Sequence, residues 1–301
     1  MTFLRPLALL AGVLLSASGC RQTPEAKAAQ LRDVEAVRKK ELAQRIAAAD
    51  ASSRKDQPVA KWRVPPELRE ISGLALETSG FVLAHDDEVA RIYEIDPKTG
   101  IILKRFTLEG LPHGDFEAIT IAGTDVYLLE SHGKLYRFKA GPDGGEVPYS
   151  IYDTHLGHEC EFEGVAFEPD SSRLVLPCKR ASGKSVNNQL VIYRVPLPLT
   201  DSSVFSRLTI PMDEMIGTNN WKKFRPSDIA IDPETGNYVM LGSIEKAIAI
   251  VTPDGDVVSS GPLPKGHNQA EGVAITRDSL LIVSDEATHT PATITLYRWR
   301  R

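Results

Sequence analysis

The sequence predicts an all-β chain closed into a five-bladed β-propeller and preceded by a helical stalk. Three observations carry this expectation. From Trp62 onward, short runs rich in Val, Ile, Leu, Tyr and Thr alternate with Gly, Pro, Asp and Asn turns, the pattern of many short strands. The segments "REISGLAL" (69–76), "DFEAITI" (115–121), "EFEGVAF" (161–167), "RPSDIAI" (225–231) and "QAEGVAI" (269–275) align without gaps. Their central residues, Gly73, Ala118, Gly164, Asp228 and Gly272, recur at intervals of 45, 46, 64 and 44 residues, close to the period of a four-stranded blade.

Residues 1–19 read as a signal peptide: Arg5 precedes an apolar run from Leu7 to Leu15, and "SASGC" follows as a lipobox. The run is shorter than the roughly 20 residues a spanning helix needs. Cys20 is then expected to be acylated and to tie the chain to a membrane through several lipid chains. Arg21, in place of Asp, gives no inner-membrane retention cue, so an exported, outer-membrane lipoprotein facing the periplasm is expected. An ordinary cleaved signal with an incidental Cys is the alternative. Residues 25–50 carry helix-forming Ala, Glu, Lys and Arg, with Leu31, Val34, Leu42, Ile46 and Ala49 near one face. That interrupted stripe suits a solvated stalk better than a partner-binding or coiled-coil helix. With the flexible junction "SSRKDQP" (52–58), a lipidated stalk and linker spans 20–58 and the propeller spans 59–301.

In the first unit, strands near 71–76, 81–84, 90–95 and 101–107 run from innermost to outermost. The fifth unit holds only three, at 272–276, 280–283 and 293–298. "AKWRV" (60–64) supplies its missing outer strand and closes the ring, removing exposed sheet edges. Six blades is the alternative count if the long third interval hides a degenerate one. Cys160 and Cys178 lie at the two ends of a hairpin turning near 168–172, which an oxidising compartment would join as a disulfide; two buried free thiols is the other reading.

In this topology the connections into each inner strand and those after each second strand open at the same end. All seven histidines map there: His113, His155, His158 and His267 before inner strands, His85, His132 and His289 after second strands. Asp115, Glu117, Glu161, Glu163 and Glu271 start the inner strands, while Asp86, Asp87, Glu130, Asp285 and Glu286 follow the second. Alternation points His113, Asp115 and Glu117 the same way. The column at the axial mouth reads Ser72, Glu117, Glu163, Ser227 and Glu271. Carboxylates converging there repel unless protonated, paired or bound to a cation. Lys179, Arg180 and Arg225 are candidate partners. Asp115, Glu117, Glu163 and Glu271 are candidate ligands for Ca2+, which suits oxygen donors; zinc is disfavoured by the lack of HExxH or CxxC spacing. Alternatively, these polar groups tie neighbouring blades together by hydrogen bonds. His85, Asp86, Glu130, His132, Lys179, Arg180, Arg225, Asp285 and Glu286 are candidate ligand-binding residues, and His113, His158 and His267 candidate acid–base groups.

The net charge of −5 and the lack of a clustered basic face argue against nucleic acid. No GxSxG elbow, Walker loop or Rossmann glycine pattern occurs. The recurring D-x-E-G/A-I/V motif, the opening "ISGLAL" and the second strand "VYLLES" resemble the SdiA-regulated family of bacterial β-propellers over residues 60–301, with a looser likeness to esterase-like phytase and NHL-type propellers. The resemblance implies an exported propeller with bound calcium, and Glu70, Asp115, Glu117, Glu163 and Glu271 occupy its acidic positions. Arg225 and Ser227 depart from it in the fourth unit. Two functions follow as expectations: a monomeric module binding a ligand, cation or protein partner at its His/Glu-rich face, or a calcium-assisted phosphoesterase or other hydrolase.

Overall fold

The computed structural model describes residues 24–52, 56–200 and 203–299, so the signal peptide, Cys20 and most of the junction lie outside the described residues. It is a five-bladed propeller. The inner strands Ile71–Leu76, Phe116–Ala122, Ala166–Glu168, Asp228–Ile231 and Ala270–Ile275 touch one another in cyclic order, each leading a four-stranded antiparallel meander. The strand Pro58–Arg63 pairs antiparallel with Thr293–Arg298, so the fifth blade takes its outer strand from the N-terminal side and the ring closes as the sequence implies. Blade 1 carries one addition: Glu146–Val147 pairs parallel with its outer strand Ile101–Leu108.

Six blades are not formed. The surplus in the third interval becomes a 3-10 turn at Lys184–Val186, a loop around 197–205 and the short helix Met212–Ile216, all attached to blade 3. Cys160 and Cys178 are joined by a disulfide across that blade's first two strands, with Phe162 paired opposite Cys178.

The residues at the centre of the repeat explain the tightness of the ring. A Cβ on Gly73 would stand 2.9 Å from the Ala118 Cα, and one on Gly272 would stand 2.9 Å from the Ser72 carbonyl. Only small residues let inner strands approach this closely. Asp228 occupies the equivalent position in blade 4, where its carboxylate accepts a 2.7 Å hydrogen bond from the Val273 N–H of the next blade. Burial drives its pKa far upward, against backbone N–H groups of Val273, Ile229 and Leu74 that favour the charge. A buried acid thus fills space that glycines leave open in neighbouring blades.

The N-terminal helix, Pro24–Asp50, departs from the expected free stalk in its second half. Leu42 is buried, and Ile46 and Ala49 pack on the core between blades 5 and 1. Arg38 stacks over the Trp62 ring at 4.9 Å and donates to the Thr99 carbonyl, while Lys39 lies 3.5 Å from the Asp96 carboxylate. Leu31, Val34 and Val37, one turn or more earlier, are exposed. The docking surface joins the outer strands of blade 5, Pro58–Arg63 and Thr293–Arg298, to the "DPKTG" turn between the third and fourth strands of blade 1, a turn at the opposite end of the ring from the inner-strand starts.

Candidate functional site

At the axial mouth, the pleat alone does not aim side chains at the channel; β-bulges do. Register slips by one residue at Glu117, between the pairs Phe116–Glu130 and Ala118–Leu129, and again at Glu271, between Ala270–Asp285 and Gly272–Ser284. Blade 1 slips across Ser72 and Gly73, and in blade 3 the extra residue lies on the second strand, at Lys179. A bulge leaves its residue unpaired and re-aims it. Ser72, Glu117, Lys179 and Glu271 all line one cavity of ≈180 Å³.

That cavity is almost wholly polar, and its lining adds Glu70, Asp87, Glu163, Gln269 and Glu286. Six carboxyl groups therefore face one ammonium. Lys179 pairs with Glu163, and the remaining carboxyls respond as like charges in a desolvated space must. Burial first, and then Asp115, push Glu117 up to about 8 against the pull of Lys179; Glu271 and Asp87 add to the rise. Burial raises Glu271 to about 7 despite its 3.0 Å hydrogen bond from the Ser243 hydroxyl. Asp87 also reaches about 7 through burial and then the nearby Glu70. Near neutral pH the cavity holds protons that a cation could displace.

The serines of the predicted column behave as inter-blade ties. Ser72 Oγ donates to the Glu117 carbonyl at 2.9 Å and Ser227 Oγ to the Ala270 carbonyl at 2.7 Å. Ser227 does not line the cavity. The candidate partners also divide: Lys179 serves the mouth, whereas Arg225 makes a two-nitrogen contact with Glu245 at 2.7 and 2.9 Å, and Arg180 reaches both Glu161 oxygens at 2.8 and 2.9 Å.

The histidines share an end of the ring but do not converge. His113, His132 and His158 are exposed on the rim. His267 is buried, with Nδ1 2.6 Å from Asp285 Oδ2 and Nε2 2.8 Å from the Tyr297 hydroxyl, a bridge holding three segments of blade 5 together. His85 is also fully buried, and desolvation drops its pKa to about 4, so it is neutral at pH 7. Asp86 closes a turn by accepting the N–H groups of Glu88 and Val89; Glu130 lies 3.4 Å from Lys134. Among the residues the sequence singles out, Glu117, Glu163, Lys179, Glu271 and Glu286 line the mouth, while Asp115 is exposed beside it. Among the described residues, no group of three or more His, Cys, Asp or Glu side chains is arranged to hold a metal ion.

A second cavity of ≈280 Å³ opens at the same end between blades 3 and 4, and three of the ligand-binding candidates, Lys179, Arg180 and Arg225, line it, although the sequence gives no sign of a separate cavity there. Its walls combine the second and third strands of blade 3, at Cys178–Ala181 and Gln189–Leu190, with Val186, Asn187 and Met212 from the extra segments and Lys223, Phe224 and Arg225 leading into blade 4.

No protein-family profile and no curated protein matches the chain. Among solved structures, a PQQ-bound aldose sugar dehydrogenase from Streptomyces coelicolor superposes with a TM-score of 0.51 at 13% identity, covering 81% of this chain and 97% of that one. A gluconolactonase from Xanthomonas campestris gives 0.46 at 14% identity over 75% and 71%. A virginiamycin B lyase from Staphylococcus aureus gives 0.41 at 16% over 75% and 67%. Likeness at these identities speaks to fold. The fold and the mouth together define a five-bladed β-propeller with an acidic, polar cavity on its axis.

Proposed function

We propose that this chain is an exported, lipid-anchored β-propeller of the SdiA-regulated type that binds a small cationic ligand at its axial mouth. The carrying observation is the ≈180 Å³ polar cavity in which six carboxyls face Lys179. Such a space stabilises positive charge, and its protonated carboxyls can exchange protons for a ligand cation. An organic ammonium fits better than a tightly coordinated ion, because it needs no fixed shell of oxygen ligands. The docked helix supports the topology of the proposal: it packs on the flank of blades 5 and 1 and contacts Asp96 and Thr99 at the end opposite the mouth, so a chain tethered through its N-terminal side can present the cavity away from a membrane. Thermal unfolding with putrescine and, separately, CaCl2 tests the reading. A raised midpoint that Glu117→Gln diminishes is expected, since ligands of the folded state stabilise it by mass action. No shift with either cation at millimolar concentration overturns it.

Calcium-assisted phosphoester hydrolysis is the second reading, favoured by the placement of Lys179 among the cavity carboxylates. A cation held there and the lysine would both face a phosphoryl oxygen, polarising it for attack by water. Calcium-dependent release of nitrophenol from an aryl phosphate, lost in Glu117→Gln, would replace the binding reading with this one.

A further inference from the structure

We infer that the cavity between blades 3 and 4 is an anion site for an organic acid, a phosphate monoester or carboxylate attached to an apolar body. Its polar side presents Lys179, Arg180, Lys223 and Arg225, and no carboxylate belongs to its described lining. Its floor is apolar: Val186, Leu190, Met212 and Phe224 are all buried. A cationic rim above an apolar floor matches a ligand with one charged head and one greasy end, and excludes both a bare cation and a neutral sugar.

Three of the four cations are already oriented, by carboxylates standing outside this cavity. Glu245 fixes Arg225 through Nε and Nη2, Glu161 fixes Arg180 through Nη1, and Glu163 holds Lys179. Those contacts leave Arg225 Nη1, Arg180 Nε and Nη2, and further ammonium hydrogens of Lys179 for an incoming oxygen. Lys223 is exposed and makes no ion pair among the described residues, so it can close on the ligand. Orientation before binding lowers the ordering cost of each charge-assisted hydrogen bond. The walls also come from where the repeat is broken. Lys184–Val186 and Met212–Ile216 are among the segments that lengthen the third interval, Lys223 and Phe224 directly precede the fourth repeat, and the disulfide Cys160–Cys178 pins the strand from which Lys179 and Arg180 project.

Calorimetric titration of the full chain with phenyl phosphate, hexanoate and inorganic phosphate tests this. Saturable binding of phenyl phosphate or hexanoate is expected, and which of the two binds more tightly decides the head group. Inorganic phosphate, unable to use the floor, should bind about tenfold more weakly. Lys223→Gln and Arg180→Gln, both at exposed positions, should each weaken binding about tenfold while leaving the unfolding midpoint in place. Absence of saturable binding by both organic acids, inorganic phosphate binding as well as phenyl phosphate, or affinity unchanged in both variants overturns the assignment. The outcome is separable from the axial reading: Glu117→Gln should blunt the putrescine shift and spare phenyl phosphate binding.

Discussion

The axial and lateral cavities open at the same end of the ring and share Lys179, yet one is lined by the repeat and the other partly by its interruption. Five-fold repetition brings equivalent residues together, so an acidic residue at the same position in three of the five blades becomes like charge gathered on an axis. Glu117 and Glu271 then rise to about 8 and about 7. The insertion has no symmetry to obey. The cations beside it are set one by one against carboxylates, Arg225 of the repeat on Glu245 and Arg180 of the second strand of blade 3 on Glu161. Charge at the mouth is therefore destabilising until something binds, whereas three of the four cations at the lateral wall are already compensated.

This contrast predicts effects of opposite sign. Arg225→Gln would strand the Glu245 side chain, which is only 5% exposed. Urea unfolding should show a loss of about 3 kcal/mol, the usual consequence of removing one partner of a buried pair; unchanged stability would show the lateral cations to be idle. Gly272→Ala, which forces a Cβ to within 2.9 Å of the Ser72 carbonyl, should cost about 2 kcal/mol through overpacking of the ring. A neutral outcome would mean that the inner strands have room to part.

Glu117→Gln should move the other way, by less, and only at high pH. Its folded pKa lies above its unfolded value, so the stabilising contribution is complete below about pH 4.5 and drains away as pH rises through about 8. Asp87 and Glu271 act in the same sense through about pH 7. Parent stability should fall between pH 5 and pH 9, and the variant should fall less steeply. Coincident pH profiles would contradict the burial of that carboxyl.

Much of this could be read from spacing. Five copies of one segment gave the blade number, and the orphan strand at 60–64 gave the closure that Pro58–Arg63 makes. The acidic column was also legible, because residues at the same position in each copy must stand at the same height. The bulges that turn Glu117, Lys179 and Glu271 into the channel were not, since register belongs to a pair of strands and neither strand encodes it alone. His267 illustrates the limit. Sequence placed it two steps from Glu271 at the rim, and folding buried it between Asp285 and Tyr297 from later strands. The helix is a similar case: Leu31 and Leu42 look equivalent along the stripe, yet only Leu42 meets a neighbour.

The sequence by itself determined the number of blades, their cyclic closure and the end of the ring where polar residues collect, because all three follow from a period and an alternation along one chain. Tertiary structure decided which of those residues face a cavity, which carry protons and which are consumed as ties between blades. Those outcomes depend on burial and on distances between strands far apart in the chain, and electrostatic energy in a desolvated space is set by such distances rather than by residue type.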